Sequence, residues 1–356
     1  MKLFDTIGAM GHEQLVLCHD PAAGYRGIIA VHSTVLGPAL GGTRFWNYAS
    51  DEDAIVDALR LARGMSYKNA VAGLNLGGGK SVIIGDNKTT DRELVFRAHG
   101  RFVDSLGGRY VTAEDVGTST ADMDYVHMET QYVSGLAGRS GDPSPVTAHG
   151  VFRAIEATAK VRWGSDSLSG RTVSIQGCGH VGYYLAKELH EAGAKLIVTD
   201  IDPDRVKRVV AEFGARAVAT DAIYAVDADL FAPCALGAVI NDTTLSQLRV
   251  EAVVGAANNQ LLEARHGDAI EARGLLYTPD YVANAGGVIN VYGELAGWTM
   301  ERSFRKADEI YDTVLKVFAI AKRDQVPTYV AADRLAEQRI GAVGSMVRTW
   351  PQWPNR

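Results

Sequence analysis

Apolar residues recur at Ile55, Leu59, Ala62 and Met65, a spacing that lays them along one face of a helix. Ser50 and Asp51 can cap its start, and Asp51, Glu52 and Asp53 complement the N-terminal dipole. Lys68 follows Leu61 and Met65 at helical intervals. A helix that runs on to it turns a lysine inward, which is costly without a partner; a helix ending near Gly64 lets it snorkel to water. Before this helix, 27–32 is a continuous apolar run of strand type. After it, the pattern predicts a helix over 91–106 stopped by Gly107 and Gly108, then a strand over 109–113. The run 114–118 lies just past that strand, and Ser119 or Thr120 caps another helix. From Thr147 the periods alternate: helix through Val151, Ile155 and Ala159, strand 172–176, helix 183–192, strand 195–200. Buried-strand runs follow at 229–235, 252–259 and 275–280, a helix opens near 283–288, and long helices cover 304–323 and 331–347. Strands alternating with helices predict an α/β fold with a parallel sheet.

Two glycine-rich stretches interrupt the first half. Leu36–Arg44 reads as turn-rich, either a plain loop or a place where backbone approaches a ligand. Leu74–Ser81 carries three consecutive glycines and then Lys80, which reads as a cation at a tight turn beside buried strand. A phosphate-binding P-loop does not fit, because Leu74 stands where its first glycine belongs and a strand, not a helix, follows the lysine. Asp115, just past a strand end, is either a reactive carboxylate or an ordinary turn aspartate. Two prolines and a glycine within 140–145 mark an exposed connection, and the domain boundary is placed there.

Composition narrows the function classes. The chain has 356 residues, 47% apolar and 22% charged, as expected of a soluble two-domain protein. Net charge is −6, which gives no case for nucleic acid or an anionic membrane. No apolar run reaches membrane-span length, and the first residues lack a signal-peptide core, so a cytoplasmic location is expected. Cys18, Cys178 and Cys234 form no paired motif and read as buried free thiols; the nine histidines have no metal-ligand spacing, so no metal is expected.

The strongest motif is Gly177-Cys178-Gly179-His180-Val181-Gly182, set between strand and helix, with Asp200 ending the next strand 23 positions after Gly177. These parts together define a Rossmann dinucleotide site: Gly177 for the tight turn, Gly179 for approach of the pyrophosphate, the helix N-terminus for its charge, Asp200 for a ribose hydroxyl. A carboxylate at Asp200 repels a 2′-phosphate and favours NAD over NADP, although Arg205 and Lys207 stand close by.

Stretches 37–44, 65–68, 77–81, 112–118, 177–182, 233–237, 255–260 and 284–291 together resemble the amino acid dehydrogenase family, above all its leucine dehydrogenases and next its phenylalanine dehydrogenases. Cys178 and His180 occupy variable positions of the glycine motif. The resemblance implies an α/β substrate and oligomerisation domain (1–146), a Rossmann NAD-binding domain (147–328), and a C-terminal helix and tail (329–356) returning to the first. It implies NAD-dependent, reversible oxidative deamination of an apolar L-amino acid to a 2-oxo acid plus ammonium, in a homo-oligomer, dimer or octamer. By position it makes Lys80 and Asp115 catalytic and Lys68 the substrate-carboxylate lysine. Gly41, Leu40, Ala113, Asn259, Val288 and Val291 fall on the substrate side. Thr147, Cys234, Ala235 and Asn258 join the glycine motif and Asp200 on the cofactor side. The uncharged pocket positions argue against a dicarboxylate substrate. Branched-chain substrates are expected, with aromatic ones as the alternative. A non-catalytic NAD-binding protein is the rival from another class. A 2-hydroxy acid dehydrogenase would need a histidine–carboxylate pair past the Rossmann motif, and Asp268 stands at the wrong spacing to face His266 on a helix.

Overall fold

The computed structural model describes residues 2–136, 138 and 141–346. Ser140, at the start of the expected linker, and the Trp- and Pro-containing tail at 349–354 lie outside them. The chain forms two compact units, 2–133 with 336–346, and 134–335 among the described residues. The division at Val133/Ser134 falls upstream of the expected 146/147 boundary, because the helix after the proline-rich stretch belongs wholly to the second unit.

The first unit contains α1 (Leu3–Met10), β1 (Gln14–Asp20), β2 (Tyr25–Ser33), β3 (Ala39–Trp46), α2 (Asp51–Val71), β4 (Gly77–Ile84), α3 (Glu93–Asp104), β5 (Tyr110–Glu114) and α4 (Thr120–His127). Its sheet runs β1-β2-β4-β3-β5; β3 is parallel to β4 and β5, and the pairs β1–β2 and β2–β4 are antiparallel. Ser50 caps α2 by accepting from the Asp53 amide, and the helix continues past Gly64 and Lys68 to Val71. Its inward stripe of Ala54, Ile55, Ala58, Leu59 and Ala62 packs on Ile28, Ala30 and Val82 of the sheet. Ser119 and Asp122 form a capping box on α4, so the chain turns sharply after Asp115.

Both glycine-rich stretches differ from the sequence expectation in the same way. Gly41–Gly42 lie within β3 and Gly77–Gly79 within β4, all without positive φ. Lys80 therefore sits mid-strand, not at a turn. These glycines serve closeness rather than turning. A Cβ on Gly79 would lie 2.7 Å from the Tyr110 ring, one on Gly78 2.5 Å from the Ser66 Cα of α2, and one on Gly42 2.8 Å from the Asp115 Cβ.

The second unit contains α5 (Ser144–Trp163), β6 (Thr172–Gln176), α6 (His180–Glu191), β7 (Lys195–Thr199), α7 (Pro203–Phe213), β8 (Arg216–Ala217), β9 (Leu230–Pro233), α8 (Asp242–Gln247), β10 (Ala252–Val253), α9 (Ala264–Ala272), β11 (Leu276–Tyr277), α10 (Asp280–Ala283), α11 (Gly286–Leu295), α12 (Met300–Asp308), α13 (Ile310–Asp324) and the start of α14 (Thr328–Gly344). Its strands are all parallel in the order β11-β10-β9-β6-β7-β8. The helix expected to start at Thr147 starts at Ser144, with proline in its first turn, where a missing N–H costs nothing. The single helix expected over 304–323 is two, α12 and α13, meeting at Glu309, whose amide turns back to the Lys306 carbonyl in a tight i→i+3 bond. The division between units passes through α14. Within the first unit, its Glu337 accepts from the Tyr67 hydroxyl at 2.7 Å and its Arg339 donates to the Leu74 carbonyl at 3.0 Å.

Candidate active site

Strand alternation sorts the first unit's polar residues onto two faces of one sheet. Gly78 meets α2, and Val82 packs into the α2 cluster, so Lys80 between them shares that face. Asp115, one residue beyond β5, meets Lys80 in an ion pair and hydrogen bond. Lys80 is only 5% exposed. The Arg44 Nε stands 3.7 Å from Asp115, and the Arg44 Nη1 donates to Asp57 of α2 at 2.7 Å, as does the Tyr48 hydroxyl.

Burial drives the Lys80 amine below its ordinary value, Asp115 opposes this only in part, and the Arg44 guanidinium adds to the lowering. Burial by itself would raise the Asp115 carboxyl, but Lys80 and then Arg44 outweigh it and hold it below the usual range. The pair is thus an ionised carboxylate beside an amine made easier to deprotonate. Arg44 was not singled out in the sequence. Its signal was present: it follows Gly41-Gly42-Thr43 on a strand whose period turns it toward Lys80.

Lys68 lies half-buried near the C-terminal end of α2. That end is fastened to the glycine strand: Asn69 Nδ2 donates to the Gly77 carbonyl at 2.5 Å, and Gly78 leaves room for the Ser66 backbone. Leu40 is buried, Gly41 lies beside it in β3, and Ala113 is half-buried in β5, two residues before Asp115 and on the same face.

In the second unit, Gly177 has φ +101° and ends β6. A Cβ on Gly182 would press on the Gly177 carbonyl carbon at 3.0 Å, which fixes the strand–helix approach. Gly179 faces open space, with only Arg205 within 4 Å of a Cβ built there. Cys178, His180 and Val181 complete the turn; His180 is exposed at the start of α6, with Nδ1 3.1 Å from Asp142. Asp200 accepts from the Cys178 amide at 2.6 Å and the Asp202 amide at 2.8 Å, so backbone aims its carboxylate. A cleft of about 290 Å³ opens between Gly177, Asp200, Ile201, Ala235, Leu236 and Asn241, with Ile201 92% and Leu236 79% exposed at its rim. A positive-φ glycine, an open second glycine, a helix N-terminus and an aimed carboxylate fit the pyrophosphate and ribose of a dinucleotide.

The other second-unit residues cluster nearby in the fold. Thr147 lies at the N-terminal turn of α5 against Gly286 and Gly287 at the start of α11, the helix that carries Val288 and Val291. Asn258 accepts from Asn284 at 2.8 Å, and Asn259 has φ +52°. Cys234 follows β9, with its amide donating to the Gln176 carbonyl. Cys18, Cys178 and Cys234 are all free, and burial pushes each thiol up to about 12. His266 does meet a carboxylate, though not Asp268: its Nε2 lies 3.3 Å from Asp242. Its Nδ1 accepts from the Glu263 amide in a cap of α9, and the ring is buried, so it is a structural histidine.

A parallel sheet with this glycine turn, joined in one chain to a second α/β unit carrying a buried Lys–Asp pair, defines a two-domain dinucleotide-binding enzyme class. Residues 12–132 match the family model described as the Glu/Leu/Phe/Val dehydrogenase dimerisation domain, and 138–206 with 201–342 match that of the glutamate/leucine/phenylalanine/valine dehydrogenases. The chain belongs to this family. It is 59% identical over 343 residues to a leucine dehydrogenase of Geobacillus stearothermophilus, covering 96% of this chain and 94% of that one. To a leucine dehydrogenase of Bacillus subtilis it is 57% identical, with the same coverage. The crystal structure of an L-tryptophan dehydrogenase from Nostoc punctiforme superposes with a TM-score of 0.88 at 45% identity, over 96% of this chain and 99% of that one.

Proposed function

We propose that this protein is an NAD-dependent L-amino acid dehydrogenase acting on branched-chain substrates. The observation that carries the reading is the buried Lys80–Asp115 pair beside Arg44, in a chain 59% identical to a leucine dehydrogenase. The net reaction takes an L-amino acid, water and NAD⁺ to the 2-oxo acid, ammonium, NADH and a proton. A bound nicotinamide supplies the acceptor for the α-hydride. Gly179 and the α6 N-terminus would hold its pyrophosphate and Asp200 its adenosine ribose. Thr147, Cys234, Ala235 and Asn258 fall to the nicotinamide side.

Lys68 holds the substrate carboxylate by charge and hydrogen bonding. The substrate ammonium first gives up the proton released in the net reaction; loss of hydride from the neutral amine then leaves an iminium, which water attacks. Lys80 stabilises the oxygen charge that develops, and its burial strengthens that interaction. Asp115, ionised at neutral pH, takes the proton from water and returns one to the leaving nitrogen. Leu40, Ala113, Val288 and Val291 offer apolar surface and no cation for a second carboxylate. The likeness to a tryptophan dehydrogenase structure supports an aromatic substrate as the second reading. A homo-oligomer, dimer or octamer, goes with this proposal, in keeping with the dimerisation-domain match. So does a cytoplasmic location; no described helix is long and apolar enough to cross a membrane.

The test is a panel of L-amino acids, glutamate included, with NAD and with NADP, followed at the NADH absorbance band. Leucine, valine and isoleucine with NAD should lead. Fastest turnover of glutamate, or none of any amino acid, would overturn the reading.

A further inference from the structure

On the sheet face opposite Lys80, the first unit holds a polar chain that the reaction above does not use. Its members are Tyr25 (β2), Thr43 (β3), Ser81 (β4), His99 (α3), and Tyr110 and Thr112 (β5), all wholly buried. The Tyr25 hydroxyl meets His99 Nδ1 at 2.8 Å, and Thr43 Oγ1 meets His99 Nε2 at 2.9 Å. Thr43 Oγ1 also meets Ser81 Oγ at 2.7 Å and Thr112 Oγ1 at 2.5 Å. Ser81 meets the Tyr110 hydroxyl at 3.0 Å, and that hydroxyl reaches the Gly41 carbonyl at 2.5 Å. A longer Ser81–His99 contact, at 3.3 Å, lies across the chain. Gly27 makes room for its first member: a Cβ there would overlap the Tyr25 hydroxyl.

Buried groups of this kind must all be paired, and each hydroxyl has one proton to give. With each contact of 3.0 Å or shorter taken as a hydrogen bond, and the longer Ser81–His99 (3.3 Å) and Tyr110–Thr112 (3.5 Å) contacts left secondary, the directions follow. A carbonyl only accepts, so Tyr110 donates to Gly41. Ser81 must then donate to Tyr110, and Thr43 to Ser81. Thr43, its proton spent, accepts from Thr112 and from His99 Nε2–H. His99 Nδ1 is left bare and accepts from Tyr25. The chain runs one way, from Tyr25 to the Gly41 carbonyl.

Its end lies at the site. The β3–β4 pairing passes from Leu40–Gly78 to Thr43–Ser81 and skips Gly41 and Gly42, the positions alongside Gly79 and Lys80. Tyr110 takes the Gly41 carbonyl at that gap. Thr43 also touches the Asp115 loop: the Thr118 hydroxyl shares its proton between the Asp115 carbonyl at 2.8 Å and the Thr43 carbonyl at 3.1 Å, and its oxygen accepts from the Asp115 amide at 2.8 Å.

We propose that His99 is a positioning residue for Gly41 and Asp115, acting through this one-way hydrogen-bond chain with Nε2 protonated and Nδ1 bare. The assignment rests on the functional reading above only for the roles of Gly41 and Asp115. Without the His99 donor, Thr43 is free to reverse, Ser81 can turn from Tyr110, and the Gly41 carbonyl loses its fixed partner.

Long-range proton–nitrogen NMR on the full chain labelled at histidine nitrogens, with His99 assigned by its loss in His99→Gln, should show the neutral Nε2–H form from pH 6 to 8. The Nδ1–H form or a charged ring overturns the proposal. In kinetics with L-leucine and NAD, His99→Phe should raise the KM for L-leucine about fivefold, the worth of one hydrogen bond, with the KM for NAD unchanged. His99→Gln, which keeps a donor for Thr43, should recover most of that loss. An L-leucine KM within twofold of the parent in His99→Phe, or equal movement of both KM values, overturns the proposal. Should His99→Phe not fold, Tyr25→Phe carries the same comparison: a raised L-leucine KM supports the chain and an unchanged one overturns it. A parent protein inert toward every amino acid would sink the functional reading, while the tautomer measurement would still decide this one.

Discussion

Gly78→Ala places a methyl group where α2 lies on β4. That methyl would overlap the Ser66 backbone nitrogen and stand 2.5 Å from the Ser66 Cα, and ordinary contact begins at 3.4 Å, so backbone must separate by more than about 1 Å. β4 cannot yield easily, because Gly78 pairs with Ser33 of β2 on one side and Leu40 of β3 on the other. The helix therefore moves, and Lys68 moves with it, two residues beyond Ser66. Overpacking of this kind costs about 1–3 kcal/mol. A 1 Å misplacement of a positioning group costs roughly 100-fold in rate. Differential scanning calorimetry and initial rates with L-leucine test both halves. The melting temperature should fall by several degrees, roughly 2–4 °C per kcal/mol, and kcat/KM for L-leucine by roughly 100-fold, mostly through KM. A melting temperature within a degree of the parent, together with an unchanged KM, would refute the claim that Gly78 exists to let Lys68 close on the strand.

Lys80→Ala should lower kcat by about 10²–10³-fold, as for loss of one oxyanion donor, while Lys68→Ala should mainly raise the amino acid KM; near-normal kcat in Lys80→Ala would reverse the assignment. Arg44 lowers the Lys80 amine, so Arg44→Gln should raise it and move the limb of the deamination pH profile that Lys80 governs to higher pH; a shift to lower pH counts against the electrostatic account. Burial pushes His99 down to about 3 and His32 to about 4. Both native rings stay neutral while the unfolded chain protonates below the ordinary value near 6.5. Their stabilisation is therefore full above that pH and lost as pH falls toward 4, by up to about 1.4 kcal/mol per unit for each. Urea midpoints at pH 7.5 and 4.5 should show that loss, reduced in His99→Phe; equal midpoints in the parent would contradict it.

The distribution of what was legible follows the range of each signal. The α2 period, its Ser50 cap, the Rossmann turn and the strand-end place of Asp115 are written in short windows, since 3.6- and 2-residue periods, caps and breakers act within a few residues. The family resemblance then supplied roles to Lys68, Lys80 and Asp115 that spacing by itself left open. The meaning of the glycines was not readable locally. Gly41–Gly42 and Gly77–Gly79 look like turns because glycine favours turns, yet what they meet comes from elsewhere in the chain: Ser66 on α2, Tyr110 on β5, Asp115 beyond it.

The sequence by itself determined the alternation of elements, the nucleotide turn and the inward stripe that brings α2 onto the sheet. Tertiary structure decided that Lys80 lies mid-strand with Arg44 as its second charged neighbour, and that His99 joins Tyr25 to Gly41 beneath the site. The reason is physical. A period says which way a side chain points, but only packing brings residues 35 to 74 positions apart, as Lys80–Asp115 and Tyr25–His99 are, within hydrogen-bonding distance. Burial then turns those meetings into altered acidity and fixed proton direction.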